Sequence, residues 1–272
     1  MSPLDPVQVS DLLQAAPARS VVYLLGAGGC GMSGLGHLLL DLGHTVAGSD
    51  LTSNEEIAQL RSRGATVHIG HTAEQLRAAR PVLAVYSSAI RANNPELQAA
   101  AESNVPIVRR ATLLAALSQR QRSICVAGMH GKTTTSALLS SALEQLSGRP
   151  SYAIGGLVPQ LERHARFTLD TPLLAGEPPA DHGAPVGRPA PSLSFAAGQE
   201  RARPVRRSLG EGGRAGEGEV PFFIVEADES DGSLREFQPE HAVVLNVDAE
   251  HLDYYADLDA VCREFQFFAE RT

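Results

Sequence analysis

Cysteine is scarce: the 272 residues hold three, Cys30, Cys125 and Cys262. So few and so scattered, they exclude a disulfide framework and a cysteine zinc cluster, and they fit a reducing compartment. A long basic run is also missing, and the formal charge is -8. The electrostatic footprint of a nucleic-acid or anionic-membrane binder is therefore absent. No apolar run approaches the roughly 20 residues that span a bilayer, and the N-terminus lacks the basic, apolar and cleavage regions of a secretory signal. These absences predict a cytoplasmic protein with no nucleic-acid partner and no membrane insertion, which must hold any anionic ligand by local geometry. The oligomeric state is not legible. The length suffices for two ordinary domains.

What is present alternates. "SVVYLL" is apolar and β-branched enough for a buried parallel strand, "MSGLGHLLLDLG" reads as a helix ending near Gly43, and "HTVAGSD" as a second strand ending at Asp50. Capping-box patterns at Ser53 ("SNEE") and Thr72 ("TAEQ") announce further helices, and "PVLAVYSSAI" supplies another strand. A second cycle starts at "RSICVAG" and runs into the helix "TTTSALLSSALEQL". The pattern predicts an α/β fold: a Rossmann-like parallel-sheet domain over 1–118, then a P-loop α/β domain over 119–272. Within the latter, a Gly- and Pro-rich composition predicts a disordered insertion at about 169–220. Two apolar strands follow, "PFFIVEADESD" and "HAVVLNVDAEHLD", and "LDAVCREFQFFAERT" closes the chain as a helix.

Two glycine loops stand out. The first, "GAGGCGMSG", carries G-x-G-x-x-G at Gly26, Gly28 and Gly31 between strand and helix. Without Cβ atoms the backbone can approach a diphosphate, whose charge meets unpaired N–H groups at the helix start. Asp50 sits near the offset at which a carboxylate accepts ribose hydroxyl bonds, or it is a solvated strand end. On the motif alone the usual reading is a dinucleotide site, with a bare strand–helix turn as the bland alternative.

The second loop, "VAGMHGKTTTSALL", is a variant Walker loop: Val126 occupies the position of the first glycine, and Gly128 appears instead. Strand, glycine, "GKT" and helix still occur in order. In that arrangement backbone N–H groups surround phosphate, Lys132 reaches its outer oxygens and Thr133 offers a hydroxyl to Mg²⁺. His130 either contacts nucleotide or caps the turn. Hard oxygen ligands for such an ion stand at the next strand end, Glu226, Asp228, Glu229 and Asp231, and His251 with its flanking acids ends the strand after. Outside this context such strand ends are solvated surface.

In order, "GAGGCGMSGL", "GSDL", "SSAI", "VRRATLLAAL", "AGMHGKTTTSALL", "EADESDGS" and "NVDAEHLDYY" resemble the sequence blocks of the Mur ligases, in their alanine-adding branch. The resemblance runs from residue 20 to 272 apart from the insertion. It implies that the first loop, with Gly26, Gly28, Gly29, Gly31, Met32, Ser33, Asp50, Ser87 and Ser88, binds UDP-N-acetylmuramate rather than a dinucleotide. The second, Gly128, Met129, His130, Gly131, Lys132, Thr133 and Thr134, would bind ATP. It further implies Lys132, Glu226 and His251 as catalytic residues, Thr133, Glu226 and His251 as Mg²⁺ ligands, and L-alanine as the second substrate, joined to a carboxyl activated as an acyl phosphate.

Three departures accompany it. Gly36 and His37 stand where the family has a small residue and an acid. Roughly fifty residues intervene before "PFFIVEADESD", where the family has a short connection; a looped-out excursion of that kind costs little more than a short one. The family also continues into a third domain, so the P-loop domain is expected to be incomplete and the chain a fragment unable to complete ligation. The other readings are the family's peptide-adding branch, a non-catalytic nucleotide-binding module, and an NAD-dependent oxidoreductase joined to a nucleotidase.

Overall fold

A computed structural model describes residues 4–146, 149–161, 163–169, 221–230, 232–251 and 254–272, all within one compact unit. Apart from Leu169, the expected insertion lies outside the described residues, as does Asp231.

Asp5 opens α1 (Pro6–Ala15) through a reciprocal capping box with Gln8. There follow β1 (Val21–Leu25), α2 (Cys30–Asp41), β2 (Thr45–Asp50), α3 (Glu55–Ser62), β3 (Thr66–Ile69), α4 (Ala73–Ala79), β4 (Leu83–Tyr86), α5 (Pro95–Glu102) and β5 (Ile107–Arg109). The five strands form one parallel sheet in the order β3-β2-β1-β4-β5. The order reverses between β1 and β4, so a crevice opens beyond their C-terminal ends, where ligands of open α/β sheets bind. Gly26 and Ser87 stand at that point.

Helix α6 (Arg110–Ser118) leads to β6 (Arg122–Ala127), α7 (Lys132–Gln145), β7 (Ser151–Ala153), β8 (Ala165–Arg166), β9 (Phe222–Glu226), β10 (His241–Val244) and α8 (Leu258–Glu270). These strands form a second sheet, β10-β6-β9-β7-β8, parallel except for β8. The parallel-sheet α/β class expected from the alternation is thus found in both halves.

Helix α2 is buried from Met32 to Leu39, more completely than a helix covering one sheet. Its second neighbour explains this: α2 packs on β1 and β2 and also on β7 and β8 of the other sheet. One hydrophobic core accordingly runs from Val9, Leu24 and Leu38 through Leu114 and Cys125 to Phe223 and Phe268.

One local expectation is corrected. The cap of α3 is Asn54 rather than Ser53; Asn54 Oδ1 accepts the N–H of Ile57 at 3.0 Å. Its amide also donates to Gly28 O at 2.8 Å, a contact that Ser53 lacks and that sets the register. Glu56, released from the box, accepts instead from Ser33 Oγ at 2.8 Å. Thr72 caps α4 as expected, accepting from Gln75 N at 3.4 Å.

Candidate functional site

The first loop is wound tightly. Gly26 has φ of 83°, and its N–H and that of Ala27 donate to Ser49 O at 2.9 and 3.0 Å. A Cβ on Gly28 would come within 3.0 Å of Asp50 Oδ2 and Asn54 Nδ2. Gly28 N donates to Asp50 Oδ2 at 2.8 Å, and Asp50 Oδ1 accepts from Thr52 N at 3.2 Å. The Asp50 carboxylate, expected to face a ribose, therefore braces the loop. Gly29 caps α2, so the amides of Cys30 and Gly31 belong to the first helical turn, where no intrahelical acceptor exists.

The second loop is held from β10's side. Gly128 has φ of 140° and Gly131 φ of 85°. Asn246, just past β10, accepts from Met129 N through its carbonyl at 3.3 Å and from His130 N through Oδ1 at 2.8 Å, and its amide donates to His130 O at 2.9 Å. The His130 imidazole is exposed and pairs with Glu250 at 2.9 Å. Lys132 opens α7. Its ammonium donates to Gly128 O at 2.6 Å and to both oxygens of Glu229 at 2.7 and 2.8 Å. Glu229 is fully buried, a charge that only a partner makes tolerable. Thr134 is exposed on the same turn.

Thr133 and Glu226 come together as expected: Thr133 Oγ1 donates to the Glu226 carboxylate, 3.1 Å from either oxygen, and Gly155 N donates to Glu226 Oε2 at 2.7 Å. His251 Nε2 lies 3.5 Å from Glu229 Oε1, so it sits on the lysine's partner. Thr133 and Glu226 are hard oxygen donors suited to Mg²⁺.

A cavity of about 350 Å³ joins the two loops. Its wall includes Gly29, Cys30, Gly31 and Met32 from the first, Ser87 past β4's end, Lys132 from the second, and Glu226 and Asp228 from the end of β9. Ser33 is buried behind it and Ser88 is an exposed turn residue, neither on the wall. Arg110, the first residue of α6, also lines it and pairs with Asp228 at 3.0 Å. Burial pushes the Asp228 carboxyl up, but bonds from Ser230 and the charges of Arg110 and Lys132 outweigh this and hold it below the usual range. The cavity thus carries two cations, two carboxylates and a set of helix-start amides, a surface for polyanionic ligands.

Arg110 and Asn246 lie within the quoted blocks "VRRATLLAAL" and "NVDAEHLDYY" but were given no role, and Glu229 was one acid among four. Their partners are distant in sequence: Arg110 and Asp228 are 118 residues apart, His130 and Asn246 116.

Residues 21–122 match the family model described as Mur ligase family, catalytic domain. The chain is 39% identical over 249 residues to the UDP-N-acetylmuramate--L-alanine ligase of Streptomyces avermitilis, covering 92% of this chain and 43% of that protein. It is 40% identical over 247 residues to the Streptomyces coelicolor enzyme of the same name, of which it covers 42%. The chain therefore spans under half the length of these relatives. Among solved structures, it superposes on a UDP-N-acetylmuramate:L-alanyl-gamma-D-glutamyl-meso-diaminopimelate ligase from Neisseria meningitides with a TM-score of 0.71 at 23% identity, covering 94% of this chain and 69% of that one. On the UDP-N-acetylmuramate-alanine ligase of Thermotoga maritima the TM-score is 0.68 at 24% identity, with 92% and 47% covered. At those identities the superpositions speak for the fold.

Proposed function

We propose that this chain, whose residues 21–122 form a Mur ligase family domain, carries the UDP-N-acetylmuramate and ATP sites of an enzyme that joins L-alanine to that sugar nucleotide in peptidoglycan precursor synthesis. The first site is assigned to residues 1–118 and the second to 119–272. One observation carries the reading: the helix starts that follow the two glycine loops face a single cavity, through Gly29, Cys30 and Gly31 on one side and Lys132 on the other. A dinucleotide enzyme would need one of them. Ligating a carboxylate held at one nucleotide, at the expense of another, needs both.

When bound, ATP and Mg²⁺ supply the phosphoryl donor and the charge neutralisation that turn a carboxylate into an acyl phosphate open to the amine of L-alanine. The remaining work falls to the chain. The first-turn amides of α2 receive the UDP diphosphate. Thr133 and Glu226 would hold the metal. Lys132 would turn from Glu229 to phosphate oxygens, with His251 Nε2 still 3.5 Å from the buried Glu229. Arg110, on the wall between the loops, orients the sugar-linked carboxylate. Preplaced cations of this kind stabilise a transferring phosphoryl group without forming a covalent bond to it.

Calorimetric titration of the chain with each nucleotide tests this. UDP-N-acetylmuramate and ATP should bind together, one of each, and Lys132→Ala should abolish ATP binding while leaving the sugar nucleotide's affinity unchanged. Loss of both in that variant would refute two separate cradles. In a protein extended to its relatives' length, phosphate release should require all three substrates.

A further inference from the structure

Behind the first loop lies a second group of side chains that the proposed reaction does not use. His37 on α2, Glu56 on α3 and His164, one residue before β8, each bring a ligand atom within 4.8 Å of the others. His37 is fully buried and His164 is 1% exposed. Each ring has one nitrogen without a hydrogen-bond partner, Nε2 of His37 and Nδ1 of His164, a condition that buried polar atoms rarely keep.

The partners of the other nitrogens fix the tautomers. Arg63 Nη1 can only donate, and it lies 2.9 Å from His37 Nδ1, so the neutral His37 ring carries its proton on Nε2. Cys30 O can only accept, and it lies 3.1 Å from His164 Nε2; Ser33 Oγ, 3.2 Å from the same nitrogen, gives its one proton to Glu56 Oε2 at 2.8 Å and so accepts here, which makes that nitrogen the protonated one. His164 Nδ1 is then a bare lone pair, 3.7 Å from Glu56 Oε2. A lone pair facing a carboxylate in a dry interior repels it unless a cation lies between. The rings meet edge to face, centroids 5.6 Å apart, and Gly34 makes room: a Cβ there would sit 3.3 Å from the His164 ring.

We propose that His37, Glu56 and His164 bind one divalent d-block cation of the zinc type, which ties α2 and α3 to the segment entering β8. Two imidazoles and a carboxylate suit zinc and not magnesium. Binding asks for one rearrangement. The His37 proton moves from Nε2 to Nδ1, and Arg63 Nη1 turns away while Nη2 keeps Asp41 at 2.6 Å. The cation also meets the charges of Arg63 and Arg163, both paired with Asp41. Glu56 and Asp41 are the countercharges. The competing occupant is a proton on His164 Nδ1, which would satisfy Glu56 without metal. Nothing here depends on the ligase reading.

The test uses the full chain stripped with chelator, then titrated at neutral pH with Zn²⁺ against a chromophoric indicator, and with Co²⁺ for its visible spectrum. Expected are one equivalent per chain, the visible band of tetrahedral cobalt, and a melting temperature raised by zinc. His37→Leu and His164→Leu should lose all three, while the exposed-histidine control His241→Ala keeps them. Arg63→Gln replaces an obligate, charged donor by an amide whose oxygen can accept the His37 Nδ1 proton, and should tighten binding about tenfold, the lower end of the effect of outer-sphere groups; it decides the matter if the histidine variants fail to fold. The proposal is overturned by three results: no stoichiometric zinc in the wild type, binding that survives both histidine variants, or an Arg63→Gln affinity no tighter than wild type.

Discussion

At the scale of single residues, the most consequential contact is the one between Lys132 and the fully buried Glu229. Lys132→Met should destabilise the fold by about 3 kcal/mol in urea unfolding, because it strands a buried carboxylate. Adding Glu229→Gln should recover most of that stability but none of the ATP affinity, which separates the structural role of the pair from the lysine's role at phosphate. A second buried carboxylate, Glu96, accepts from Tyr23 Oη and Ser49 Oγ, both at 2.6 Å. Burial first, then the bond to Glu96 and its charge, push the Tyr23 phenol well above its ordinary range. A pKa raised on folding contributes stability that is complete below the unfolded value and is lost as pH rises beyond it. Unfolding free energy should therefore fall above about pH 10, and Tyr23→Phe should remove that slope while costing about 1 kcal/mol at neutral pH. The glycines, Lys132 and Thr133 were legible in the sequence because their spacing is local. Glu229 was not singled out from Glu226, because what distinguishes them is a lysine 97 residues away.

At the scale of elements, two asparagines set the loops. Asn54 caps α3 and grips Gly28 O, while Asn246 holds Met129 and His130 from beyond β10. Asn54→Ala should cost about 1 kcal/mol, lowering the melting temperature by roughly 2–4 °C, and should weaken UDP-N-acetylmuramate more than ATP in calorimetry. Asn246→Ala should do the reverse. Strands and helices were readable because apolar runs and caps are short-range signals. The start of α3 was misplaced by one residue since Ser53 and Asn54 are both good caps, and the choice between them is made by a tertiary bond. His251 was grouped with Glu226 because both end neighbouring acidic stretches; its nearness to Glu229 in space carried no sequence signal.

At the scale of the whole molecule, the two sheets are joined at Asp41, the last residue of α2. It takes Arg63 at 2.6 Å, Arg163 at 3.2 Å and the backbone N–H of Phe167 at 2.8 Å. Asp41→Asn should cost about 2 kcal/mol, the loss of charge from bonds of this type, and should broaden the calorimetric transition as the sheets lose their common brace. Neither this junction nor the burial of α2 on both sides could be foreseen, because its partners lie 122 and 126 residues on. The far side of the second sheet is the opposite case. Among the described strands β10 pairs with β6 alone, and Val244 and Val247 stand 43% and 37% exposed. An open margin of this sort templates pairing between molecules. The expected consequence is self-association that grows with concentration, read in light scattering as a mass above that of one chain.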